Sequence, residues 1–229
     1  MFDLYIANKN YSSWSLRPWV LMKALEIPFN EHLMPFEGGF GASYEAFKRF
    51  SPSGLVPCLV DGETAVWDSL AIAEYLAEQH ANVWPSDKGA RAWARSASAE
   101  MHSGFGALRD DCSMNCGMRV DLNSLSSKLN ADMARLDALW QQGLERFGGP
   151  FLAGKHFTAV DAFYAPVAFR AQTFNLPLSG ASQAYVERLL ALPAMQAWYQ
   201  AALEESWREP MHEAETLKNG TLKADYRKS

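Results

Sequence analysis

The sequence predicts an α/β unit built on a four-stranded mixed sheet, followed by an all-helical unit, on three observations. Strand and helix patterns alternate as βαβαββα over the first eighty residues. The pattern then breaks at Ala81-Asn82-Val83-Trp84-Pro85-Ser86-Asp87, which has the composition of a linker. Beyond it apolar residues recur at helical spacing and no convincing strand follows. A chain of 229 residues is long enough for two modest domains, each with its own core. The expected units are 1–80 and 88–229.

Phe2–Ala7 alternates as a first strand, with no basic region ahead of an apolar one, so the start reads as strand and not as a leader. Asn8–Ser13 is loop chemistry, and Leu16, Val20, Leu21, Ala24 and Leu25 then recur at helical spacing. Proline is accepted in the first turn of a helix, so Ser15 is expected as N-cap, with Pro18 at the third helical position. Glu31–Phe36 suits a second strand, Gly38-Gly39-Phe40-Gly41 a flexible turn and Tyr44–Phe50 a short helix. Cys58–Val60 and Thr64–Trp67 form a hairpin across Asp61-Gly62, and Leu70–Gln79 is the next helix. In the second unit, helices are expected over Gly89–Arg119, Ser124–Phe147, from Thr158 towards Phe169, over Gln183–Ala191 and over Ala194–Glu205. The last twenty or so residues are polar and are expected to form a loosely ordered tail, with Trp207 and Met211 docking against the body.

Composition excludes several function classes. A net charge of −5 without a basic stripe argues against nucleic-acid binding. No apolar run reaches the roughly 18–20 residues needed to cross a bilayer. Three cysteines do not make a disulfide framework, so a reducing cytoplasm is expected. No histidine falls into a metal-ligand spacing, so no metal is expected.

Two strings carry the chemistry. In Ser53-Gly54-Leu55-Val56-Pro57-Cys58-Leu59 a proline opens a strand, where its missing N–H is tolerated. An X-Pro bond in a tight turn there is a candidate for the cis isomer. That geometry offers the Val56 main chain, with Leu55 and Pro57 beside it, to an extended peptide ligand. In Val66-Trp67-Asp68-Ser69-Leu70-Ala71-Ile72 an acid and a serine stand where a strand meets a helix, whose N-terminus attracts a carboxylate. Together they describe a site for a small peptide bearing an ammonium and a carboxylate.

With Val56-Pro57 before the third strand, Asp68-Ser69 before the third helix, an all-helical second half and Phe157-Thr158-Ala159-Val160-Asp161, the chain resembles the cytosolic glutathione transferases. That resemblance implies a thioredoxin-like first domain, glutathione as cofactor, a small hydrophobic electrophile held between the domains, and a homodimer. The loop Asn10-Tyr11-Ser12-Ser13-Trp14-Ser15-Leu16-Arg17 is similar to the serine-type active site, most of all the Ser-Ser-Cys-Ser-Trp-Arg signature of the zeta class. Trp14 stands where that class has cysteine. Gly54 stands near where other classes hold the glycyl carboxylate with a longer side chain, and Lys48 and Arg49 are substitutes.

The resemblance assigns the thiol-activating role to Ser12 or Ser13, with Ser12 favoured by the zeta signature and Ser13 by counting back from Arg17. It assigns glutathione contacts to Trp14, Leu55, Val56, Pro57, Asp68 and Ser69. Tyr5 is a rival donor, but it sits mid-strand and reads as packing. Tyr11, Trp14, Phe40, Phe105, Met114 and Trp207 are candidates for the electrophile pocket. Thr158 and Asp161 read as a helix cap, and Cys58, Cys112 and Cys116 as core, the last two being four apart on a helix. The implied reaction is conjugation of the glutathione thiolate. The alternatives are cis-trans isomerisation of the maleylacetoacetate type and a non-catalytic binding module.

Overall fold

The computed structural model describes residues 1–37 and 39–228, with the side chains of 39–41 outside the description. Strand β1 (Phe2–Ile6) buries Phe2, Leu4 and Ile6 on one side. Next come helix α1 (Ser13–Ala24), strand β2 (Phe29–Leu33), helix α2 (Gly39–Phe47), the hairpin β3 (Cys58–Asp61) and β4 (Thr64–Trp67), and helix α3 (Ser69–Gln79). The sheet order is β2-β1-β3-β4. β1 runs parallel to β2 and antiparallel to β3, so the sheet is mixed, as the alternation of elements predicts.

The differences from expectation are local. β2 lies two residues earlier, because it pairs from Phe2↔Phe29 and Pro35 cannot donate to a ladder. α2 begins at Gly39, so the glycines of the expected turn open a helix instead, while Gly38 lies outside the described residues. α1 begins at Ser13, and its N-cap is Ser12. Pro18 therefore lies inside the helix and forgoes one i→i−4 bond. Packing decides this: eight residues from Ser15 to Met22 are buried without interruption, against the sheet and the second domain.

The linker is not a loose tether. Val83 and Trp84 are buried, and the Val83 carbonyl accepts from the Ala159 N–H at 2.8 Å. Beyond it lie α4 (Lys88–Ser103), α5 (Gly106–Asp111), β5 (Met118–Leu122), α6 (Ser127–Phe147), α7 (Ala159–Phe174), α8 (Gly180–Leu190), α9 (Pro193–Glu204), α10 (Pro210–Leu217) and β6 (Gly220–Asp225). The expected helix over Gly89–Arg119 is thus two helices and a strand. α4 is capped by Gly104, whose N–H donates to the Glu100 carbonyl at 2.8 Å and where a Cβ would crowd that same oxygen. The domain is helical apart from the antiparallel ribbon of β5 and β6.

That ribbon corrects the expectation for the tail, which is folded as α10 and β6. Arg227 holds it down by donating to Glu213 at 2.8 Å and to the Tyr11 hydroxyl at 3.2 Å. Trp207 and Met211 do not anchor it, being 45% and 56% exposed. The centre of the molecule is α7, mostly apolar and buried on nearly every face, packed against α1, α4, α8 and β5. Its cap is as expected: the buried Asp161 carboxylate accepts from the N–H groups of Thr158 at 2.9 Å and Leu152 at 3.0 Å.

Candidate active site

The chain leaves β1 at Ala7 and turns back on itself, Ser12 N–H donating to the Asn8 carbonyl at 2.9 Å. This turn sets Ser12, Ser13 and Trp14 at the mouth of α1. The Ser12 hydroxyl donates to Ser15 Oγ at 2.7 Å and accepts from the Ser15 N–H at 3.4 Å. Ser15 Oγ in turn accepts from the Ala7 N–H at 3.2 Å, tying the helix start to the strand end. Ser13 is differently placed: its Oγ accepts from Nη2 of Arg170 at 3.5 Å, and its own proton is uncommitted among the described residues.

Ser12, Ser13 and Trp14 line a cavity of about 670 Å³ together with Leu55, Val56, Pro57, Asp68 and Ser69. All eight residues singled out in the sequence therefore meet at one place. The Val56–Pro57 bond is cis. Gly54 has φ +66°, and a Cβ there would lie 2.5 Å from the Tyr44 ring, so no larger side chain fits. Asp68, at φ +74°, sits in backbone that L-residues rarely adopt, and its carboxylate caps α3 by accepting from the Leu70 N–H at 2.8 Å. Asp68 Oδ2 also lies 3.3 Å from Nε2 of His102. Ser69 Oγ is buried and accepts from Nη1 of Arg17 at 3.3 Å.

The far wall comes from the second domain. Arg109, Ser113, Met114 and Arg170 line it, and α10 with its N-cap Glu209 adds Met211, His212 and Glu215. Arg170 ends the apolar run from Ala162 to Phe169 in α7, which was the one signal in the sequence that would have singled it out. Arg109 and α10 carried no such signal. Burial brings the Arg170 guanidinium down to about 10, with Arg109 adding to the effect. Burial likewise holds Arg17 well below its ordinary value, and Arg109 and Arg170 add to it. His102 is also lowered, first by burial.

Of the other pocket candidates, Tyr11 and Met114 line the cavity. Phe105 is buried away from it, Trp207 lies outside, and the side chain of Phe40 is outside the described residues. Tyr11 donates to Glu213, and burial pushes its hydroxyl up, so it is no acid at neutral pH. Tyr5 is stacked on His32 at 4.6 Å and Phe50 at 4.2 Å, which is a packing role. Neither Lys48 nor Arg49 reaches the cavity, and Lys48 pairs with Glu45 at 3.0 Å. All three cysteines are free and buried. Cys112 and Cys116 are not on one helix: α5 ends at Asp111, and Cys116 Sγ donates to the Lys9 carbonyl at 3.3 Å. Burial pushes the Cys112 thiol up to about 12, which leaves it protonated and inert.

The model of the glutathione S-transferase N-terminal domain matches residues 11–79, and that of the C-terminal domain matches 91–201. The chain is 28% identical to a probable maleylacetoacetate isomerase of Vibrio cholerae over 85% of its own length and 94% of the isomerase. It is 38% identical to a dichloromethane dehalogenase of Methylorubrum extorquens over a shorter stretch, 25% of this chain and only 20% of the dehalogenase. Its fold matches that of a theta class glutathione S-transferase from Xanthomonas axonopodis pv. citri, solved with glutathione bound. The TM-score is 0.62 and the identity 21%, over 86% of this chain and 96% of that one. The two domain models follow one another in the order and place of the two structural units, and the chain belongs to the glutathione S-transferase family.

Proposed function

We propose that this protein binds glutathione against residues 1–80 and conjugates its thiolate to an electrophile held by residues 88–229. A free thiol titrates near 8.5, so only a few per cent is nucleophilic at neutral pH. The site's task is to favour the ionised sulfur. The observation that carries the reading is the division of labour between the two serines. Ser12 spends its proton on Ser15 as the cap of α1. Ser13 has its proton free and a guanidinium 3.5 Å behind its oxygen, at the positive end of the helix.

Ser13 is therefore assigned as the donor to sulfur, in place of the Ser12 that the zeta signature favours. One hydroxyl with the dipole lowers a thiol by about 1–2 pKa units, each about 1.4 kcal/mol. The thiol proton leaves to solvent, the sulfur lone pair forms the bond to the electrophilic carbon, and the leaving group departs with its electron pair. Asp68 and the α3 N-terminus with Ser69 suit the γ-glutamyl ammonium and carboxylate, and Leu55, Val56 and Pro57 suit its main chain. Trp14 lies over the sulfur end. Three free, buried cysteines support a reducing cytoplasm, and family membership supports a homodimer.

The test is the ultraviolet absorbance of bound thiolate, followed against pH in the wild type, Ser12→Ala and Ser13→Ala. The expected result is a rise of about 1–2 units in the thiol midpoint for Ser13→Ala. Ser12→Ala should keep the midpoint but lose about 1 kcal/mol of stability. A shift confined to Ser12→Ala would reverse the assignment, and no thiolate signal in the wild type would favour a binding module. Turnover with glutathione recovered unchanged would point to isomerisation.

A further inference from the structure

Three guanidiniums gather beside the serines, Arg17 and Arg170 buried and Arg109 half-buried, and none of them is ion-paired although Glu209 and Glu215 share the far wall of the cavity. Arg17 Cζ lies 4.1 Å and Arg109 Cζ 4.8 Å from the centre of the Trp14 ring, so the indole takes both cations. Arg170 completes the group, its Nη1 donating to the Cys112 carbonyl and its Nη2 reaching Ser13. Among the described residues, no carboxylate lies within ion-pair distance of any of the three. Asp68 and Asp110 act on Arg17 and Arg109 only at longer range.

What compensates these charges is weak or incomplete. Arg109 donates to the carbonyls of Gly104 at 3.1 Å and Met101, and Arg170 to carbonyls of its neighbours. Nε and Nη2 of Arg17 and Nε of Arg170 are buried with no hydrogen-bond partner. An unpaired buried cation is destabilising, and like charges packed together add to that cost. Two of the three, Arg109 and Arg170, face the cavity beside Ser13. An anion entering there would remove both the desolvation penalty and the mutual repulsion.

We propose that the second substrate carries a carboxylate, received by Arg109 and Arg170 with Trp14 as the stacking surface, so that its electrophilic carbon lies over Ser13. This rests on the conjugating site described above and adds a charged group to the small hydrophobic electrophile that the resemblance implies. The apolar part of the substrate is left for Trp14 and Met114, and the charge is left for the arginines. Arg17, which does not line the cavity, acts through Trp14 as a positioning residue.

The experiment uses the full-length protein and two pairs of ligands that differ only in charge. Calorimetry with S-methylglutathione present compares 3,5-dinitrobenzoate with its methyl ester, and kinetics compare 4-chloro-3,5-dinitrobenzoate with its methyl ester. In the kinetic pair the glutathione sulfur bonds to the ring carbon, the C–Cl bond breaks and chloride leaves with the electron pair. Each rate is divided by its uncatalysed rate with glutathione. The expected result is at least a tenfold preference for the carboxylate in the wild type, reduced to near unity in Arg109→Met and Arg170→Met. No preference in the wild type overturns the proposal, whether or not the variants fold. A preference that survives both substitutions also overturns it, as does an equal loss for both members of each pair. A loss confined to glutathione affinity would assign the arginines to the peptide instead, and that too overturns it. Carboxylate preference in binding without any conjugation would uphold this inference while sinking the conjugating role.

Discussion

Asp161 and Arg170 are both buried charges in the second domain, and both stand on α7. The Asp161 carboxylate is met by the N–H of Thr158, the N–H of Leu152 and the Tyr185 hydroxyl at 2.8 Å. Every oxygen has its donor, and these partners belong to the loop before α7 and to α8, so the group holds those pieces in register. Arg170, nine residues further along the same helix, has a guanidinium nitrogen with no partner and two like charges beside it. Equal burial thus has two meanings. A charge whose partners are all present serves the fold, whereas one left short of partners beside a cavity points to a ligand.

The largest effect that would break this contrast is on stability. Asp161→Ala strands four donors at once, the Thr158 hydroxyl being the fourth, and should cost roughly 3 kcal/mol, read from the urea midpoint. Arg170→Met removes a charge that has no acid to lose, so it should leave stability within about 1 kcal/mol of wild type or raise it. If Arg170→Met unfolds the chain as badly as Asp161→Ala, the arginine is structural and the contrast fails.

A smaller effect sharpens it through pH. Burial outweighs the hydrogen bonds and lifts the Asp161 carboxyl from 3.8 to about 6. Between those values the folded chain keeps a proton that the unfolded chain has released. Stability from this group therefore falls as pH rises through that window, by at most about 1.4 kcal/mol per pH unit. Urea midpoints across the window should show this slope in the wild type and a flatter one in Asp161→Asn.

Much of the first domain was legible because its signals are short-range. The Asp61-Gly62 turn, the X-Pro step at Pro57 and the acid-serine junction at Asp68 each act within a few residues, and all three appear where the sequence has them. The cap at Asp161 was legible for the same reason. The boundary of α1 was not, since three serines within four positions are all competent caps. The choice fell to Ser12 because Ser15 Oγ is engaged by the Ala7 N–H. The ribbon was hidden because β5 and β6 pair across about a hundred residues, and neither is apolar enough to announce a strand alone.

Local order, turns and most caps were determined by the chain's own letters, because each depends on neighbours a turn or a strand away, whereas Ser12, Ser13 and Trp14 were singled out by resemblance and meet residues 55–57 and 68–69 only in the fold. The charge of the opposite wall was decided only by tertiary structure. Arg17, Arg109 and Arg170 are far apart in sequence and meet only because α1 packs on α7 while the Arg109–Cys112 segment reaches Trp14 and Arg170. Periodicity tells each helix which face to bury, but it carries no information about which residues from different helices will share that buried space.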